Sequence, residues 1–191
     1  MTQMTATYLQ KSGACPGRIM HLQYEPRQNV KSCCNMGKTG AVFFAQRGDV
    51  LVLLVRDCAG GVCFFQDKVF LLQNEKEEWV LPKGRIRDAA PASEVAIERL
   101  KVEGNVDADI ILSAGETSYE FYSQTRKTPV YNKICSYIMK TDSDAFHLDP
   151  ALQFKDGGFF PVYEGMEMAT YSQDKGLISY AYRKYLTLMN D

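Results

Sequence analysis

The 191-residue chain has no run of eighteen apolar residues, so the sequence predicts nothing that spans a bilayer. It has no excess of either charge sign, with 22 basic against 23 acidic residues. That balance argues against bulk binding to nucleic acid or an anionic membrane, although a local basic patch remains compatible with it. Internal repeats and low-complexity stretches are absent. The first twenty residues lack the continuous apolar segment of a secretory leader, which sets a cytoplasmic expectation. Six cysteines, at 15, 33, 34, 58, 63 and 135, therefore read as reduced thiols and not as a disulfide framework. Cys15, His21, Cys33 and Cys34 match none of the paired zinc-ligand spacings.

What the chain does have is apolar residues, 46% of the total, enough for one core at this length. Residues 1–38 show no clear period beyond one short strand near Ile19–Tyr24 and read as an N-terminal extension. Residues 39–191 read as the domain. Gly40–Phe44 and the apolar run Val50–Val55 suggest strands, the second buried on both faces. Ala59-Gly60-Gly61 reads as a hairpin turn. Val62–Leu72 suggests one or two further strands, broken near Gln66-Asp67-Lys68. A polar loop, Asn74–Glu78, follows. Later, Ile110–Leu112 reads as a short strand, and Ser118–Tyr122 and Lys133–Lys140 as a pair. Leu177, Tyr180, Ala181, Tyr185 and Leu186 form a helical apolar stripe.

The chain is organised around Trp79–Val106, which reads as strand, basic turn and amphipathic helix. Pro91 suits the first helical position, where a missing N–H costs nothing. Ala96 and Leu100 lie four apart and face a core. Gly104 followed by Asn105 forms a left-handed C-terminal cap. In the turn, Lys83, Arg85 and Arg87 alternate, so an extended segment puts them on one face, suited to a phosphate. Their bland alternative is a solvated turn paired with Asp88 and Glu94.

This stretch resembles the Nudix box, whose pattern is Gly, five residues, Glu, seven residues, then Arg-Glu-apolar-any-Glu-Glu-any-Gly-apolar. Gly84, Leu100, Glu103 and Val106 match, and Leu81–Gly84 (LPKG) is a family-like lead-in. Ala90 replaces the first glutamate, Glu98-Arg99 reverses Arg-Glu, Val102 replaces a glutamate and Asn105 the glycine. The resemblance extends over about residues 39–188. It implies an α/β/α sandwich with a mixed central sheet, closing with a strand at Phe159–Val162, a short helix and a long C-terminal helix.

In that family carboxylates on one helix face hold Mg²⁺ or Mn²⁺ beside a diphosphate, and the metals activate the attacking water. Here Glu103 keeps one ligand position while Arg99 brings a cation one turn earlier on the same side. Glu94 and Glu98 offer a second acidic pair at i, i+4, with Glu98 joining Glu103 as a catalytic candidate. Mg²⁺ or Mn²⁺ thus stays open as a cofactor, against the loss of most box carboxylates. By its position in the loop 141–156, His147 is a candidate acid or base.

Three functions follow from the resemblance. The first is a module binding a phosphorylated or nucleoside-diphosphate-type small molecule through Lys83, Arg85, Arg87 and Arg99, with standard pyrophosphohydrolysis weak or lost. The second is an active nucleotide or inositol pyrophosphate hydrolase with a modified metal site. The third is a repurposed enzyme doing metal-free chemistry on a small organic substrate. No nucleic-acid or membrane partner is expected, and a homodimer stays open.

Overall fold

The computed structural model describes residues 40–46 and 49–189, with side chains from residue 53 onward. The N-terminal extension, its short strand and the Cys15, His21, Cys33 and Cys34 set lie outside the described residues.

Among the described residues, eight strands and three helices are arranged so that one sheet is covered on both faces. The strands are β1 (Gly40–Gln46), β2 (Asp49–Phe65), β3 (Lys68–Asn74), β4 (Trp79–Val80), β5 (Lys83–Arg85), β6 (Asp109–Ser123), β7 (Thr128–Lys140) and β8 (Phe154–Pro161). Helix α1 spans Ala92–Gly104, α2 Val162–Met168 and α3 Ser172–Met189. The sheet path is β4-β3-β2-β7-β6, with β1 and β5 also on β2 and β8 on β3. All pairings are antiparallel except β2 with β7, so the sheet is mixed.

Period-two alternation along β2 divides the core into two layers. Ala59 and Cys63 join Phe70, Val95, Ala96 and Leu100 under α1. Val62 and Phe64 point the other way, onto Ile178, Ala181 and Tyr185 of α3. The architecture is an α/β/α sandwich. No helix among the described residues is long and apolar enough to cross a membrane.

The sequence misplaced one turn. Ala59-Gly60-Gly61 does not reverse the chain; β2 runs straight through it to Phe65, and the reversal falls at Gln66-Asp67. The glycines are there for close approach. A Cβ on Gly60 would lie 2.7 Å from Lys83 Cα, and one on Gly61 would run into the Tyr137 backbone. Strands β5 and β7 could not pair with β2 at that point past larger side chains.

Three smaller corrections follow. Ile110–Leu112 and Ser118–Tyr122 are one strand, β6, interrupted by register shifts at Ile110/Leu112 and Ser113/Gly115. Pro91 is the extended residue before the helix (φ −59°, ψ 134°), and the first helical residue is Ala92. In α3, Tyr180 and Leu186 are exposed and Ile178 takes the buried place. Asn105 does adopt the left-handed cap (φ 52°, ψ 32°), and its N–H closes back onto α1 carbonyls.

Candidate functional site

The turn from β5 into α1 draws its side chains to two different faces of the sheet. Strand β5 pairs with β2 so that Arg85 opposes Cys58, Gly84 opposes Ala59 and Lys83 opposes Gly60. Paired residues share a face. Gly84 therefore lies on the α1 side, with Ala59, and Lys83 and Arg85 on the α3 side, with Cys58.

On the α1 side, the Arg99 side chain crosses Gly84. A Cβ there would fall 2.7 Å from Arg99 Cγ and closer still to Cδ and Nε. Arg99 reaches Glu103 at 4.0 Å, the helical i, i+4 partner. Glu103 is only 7% exposed. Burial pushes its carboxyl up to about 7, against the pull of Arg99, Lys83 and the Lys83 backbone N–H that it accepts. At neutral pH this group is thus partly protonated.

The other carboxylates of α1 do not join it. At about 100° per residue, Glu98 lies about 140° and Glu94 about 180° around the helix from Glu103. Both are exposed. Among the described residues no three His, Cys, Asp or Glu side chains cluster to hold a metal ion. A hard divalent cation prefers ionised oxygens, and this helix offers one buried carboxyl with a guanidinium beside it. The donor set does not fit Mg²⁺ or Mn²⁺.

Lys83 sits on the α3 side, 3.6 Å from Asp174 near the start of α3. Arg87 lies beyond β5 and is exposed. His147 is exposed too; its backbone N–H donates to the Gly104 carbonyl at 2.8 Å, which ties the loop to the end of α1. The structure thus brings Arg99, Glu103 and the Lys83 backbone N–H together, sends the Lys83 side chain to the other face, and leaves Glu94, Glu98, Arg87 and the His147 side chain outside that group.

Sequence reading missed two residues on the α3 side. Arg56 follows the apolar run of β2 and opposes Asn132 of β7. Arg56 Nε and Asn132 Oδ1 are buried without a hydrogen-bond partner. Arg56 followed directly on what read as a finished strand, and Asn132 preceded one read as starting at Lys133; only the parallel pairing sets them side by side.

No family model and no curated protein matches the sequence. Solved structures do. An Ap4A hydrolase from C. elegans, in a binary complex, superposes with a TM-score of 0.54 at 18% identity, over 69% of this chain and 98% of that one. The E. coli dihydroneopterin triphosphate pyrophosphohydrolase gives 0.55 at 13% identity, covering 64% and 91%. A NUDIX hydrolase from Nitrosomonas europaea gives 0.52 at 15% identity, covering 82% and 93%. The fold is that of the Nudix hydrolases.

Proposed function

We propose that this Nudix-fold chain binds a phosphorylated or nucleoside-diphosphate-type ligand at the β5–α1 turn, with standard metal-dependent pyrophosphohydrolysis weak or lost. The observation that carries the reading is the state of Glu103, buried, raised to about 7 and flanked by Arg99 at 4.0 Å. A metal-gripping carboxylate is fully ionised and open; this one is partly protonated at neutral pH and buried. Two of the matched structures are named an Ap4A hydrolase and a dihydroneopterin triphosphate pyrophosphohydrolase, which motivates a polyphosphate ligand here.

The chain's own residues then bind and orient without a cleavage step. Lysine supplies a mobile point charge and arginine a planar fork to phosphate oxygens. The Lys83 backbone N–H is committed to Glu103, which fixes the turn against α1. Losing metal carboxylates removes transition-state stabilisation at about 1.4 kcal/mol per tenfold in rate, so binding outlasts turnover.

The test combines a phosphate-release screen over nucleotide and inositol pyrophosphates, with Mg²⁺ or Mn²⁺, and ligand titrations in EDTA. Binding that persists in EDTA with negligible turnover supports the reading. Brisk metal-dependent cleavage abolished by Glu103→Gln would refute it.

A further inference from the structure

Strand β8 carries a reactive dipeptide that neither the basic turn nor the box helix involves. Asp156 is the chain's one aspartate followed by glycine. Such a pair closes most readily to a succinimide, because a residue without a side chain lets its amide nitrogen approach the preceding carboxyl. The fold demands that glycine: a Cβ on Gly157 would lie 2.9 Å from Leu72 Cδ2 and 3.2 Å from the Leu71 carbonyl oxygen.

The ladder leaves the Gly157 amide free to react. The Val162 N–H donates to the Asp67 carbonyl at 2.9 Å, so residue 162 points toward β3. Bonding alternates along an antiparallel pair, which turns Phe160 and Gly158 toward β3 and Pro161, Phe159 and Gly157 away from it. Pro161, with no N–H to give, suits an outward position. Among the described residues β8 pairs with β3 alone. The Gly157 N–H donates instead to its own neighbour, Asp156 Oδ1, at 2.8 Å. A strand side chain ordinarily stands perpendicular to the sheet; this one leans along the strand and sets its carboxyl carbon beside the Gly157 nitrogen. Asp156 is exposed, so water reaches it, and the β3–β8 register shifts just beyond it at Gln73/Asn74.

We propose that Asp156-Gly157 is a site of spontaneous covalent modification, at which aspartate converts to isoaspartate through a succinimide. The Gly157 nitrogen attacks Cγ of the protonated Asp156 carboxyl. A C–N bond forms, a C–O bond breaks, and the hydroxyl leaves as water with the amide proton. Water then opens the ring. Addition at the former backbone carbonyl breaks its bond to nitrogen, and the main chain now runs through Cβ and Cγ. The product carries one extra main-chain atom within β8 and a free α-carboxylate. Downstream, Phe159 packs on Phe70 at 5.0 Å in one core layer and Phe160 on Trp79 at 5.1 Å in the other, so the insertion disturbs both.

The test ages the whole chain at neutral pH in heavy-oxygen water and follows each aspartate peptide by mass spectrometry, since every ring opening adds one heavy oxygen. A protease that cuts before aspartate but not isoaspartate assigns the product. Isoaspartate should accumulate at Asp156 at least tenfold faster than at any other aspartate, and no slower than in the chain unfolded in urea. Asp156→Asn should speed ring closure with release of ammonia. Asp156→Glu should abolish it, because the larger imide ring closes far less readily. The modified chain, separated by ion exchange, should melt at a lower temperature than the parent. Uniform rates over all aspartates would overturn the site. A folded rate tenfold below the unfolded rate would show that β8 holds carboxyl and amide apart, which also overturns it. An unchanged melting temperature would overturn the displacement of β8.

Discussion

Glu103 concentrates the chemistry of the site in one titration. Its carboxyl is raised from 4.5 to about 7 in the folded chain, so the native state holds the proton more tightly than the unfolded state. The sign follows directly: stability falls as pH rises from 4.5 to 7 and then levels off. At 1.36 kcal/mol per unit the loss is about 3 kcal/mol. Glu103→Gln should flatten that slope and make the protein more stable than the unsubstituted chain at pH 8, as read by urea denaturation at pH 5 and pH 8. An unchanged slope would mean that the carboxyl is not the burdened group.

Arg99 is the second residue on which the reading turns. With Arg99→Glu and Val102→Glu, two of the missing box carboxylates return, one of them next to Glu103. The double variant should gain metal-dependent phosphoanhydride cleavage over the parent, measured as phosphate release with Mg²⁺. A folded double variant with no gain would show that charge at this helix is not what is missing. The matches at Gly84 and Glu103 were legible as spacing alone. That Arg99 lies over Gly84 and that Glu103 is buried required the packing of β5 against α1.

At the scale of elements, α1 ends where its sequence says it should, because Asn105 tolerates the left-handed conformation its cap requires. Asn105→Ala should cost about 1–2 kcal/mol and Asn105→Gly close to nothing, by thermal unfolding. The core face of α1 is just as legible: Leu100 is fully buried, and Leu100→Ala should cost about 2–5 kcal/mol. Strand β2 shows the opposite case. A Gly-Gly pair between apolar runs signals a turn locally, yet here it admits neighbouring backbones. Gly61→Ala drives a methyl into the Tyr137 backbone and should destabilise far more than Ala in an exposed strand. If it proved neutral, the close β2–β7 approach would be wrong.

For the whole molecule, the sandwich and its two core layers follow from alternation along β2, while the meeting of Arg56 with Asn132 follows from which strands lie beside it. A ligand bound only by the folded state stabilises the entire domain: at a hundred times its Kd, about 2.7 kcal/mol. That corresponds to a rise in melting temperature of roughly 5–10 °C at this size. Pyrophosphate or ADP in EDTA should produce this shift, and Mg²⁺ alone should not. A shift with Mg²⁺ alone would reinstate a metal site on the α1 side.

The sequence by itself determined the strand–turn–helix, its cap, its eroded acidic pattern and the basic alternation of Lys83 and Arg85, because each depends on residues within a few positions. Only the tertiary structure decided that Glu103 is buried, that Arg99 and Lys83 lie on opposite sides of the sheet, and that Arg56 meets Asn132. Those facts depend on the parallel pairing of strands some seventy residues apart, with Arg56 opposite Asn132, and on the desolvation that packing imposes, neither of which local pattern encodes.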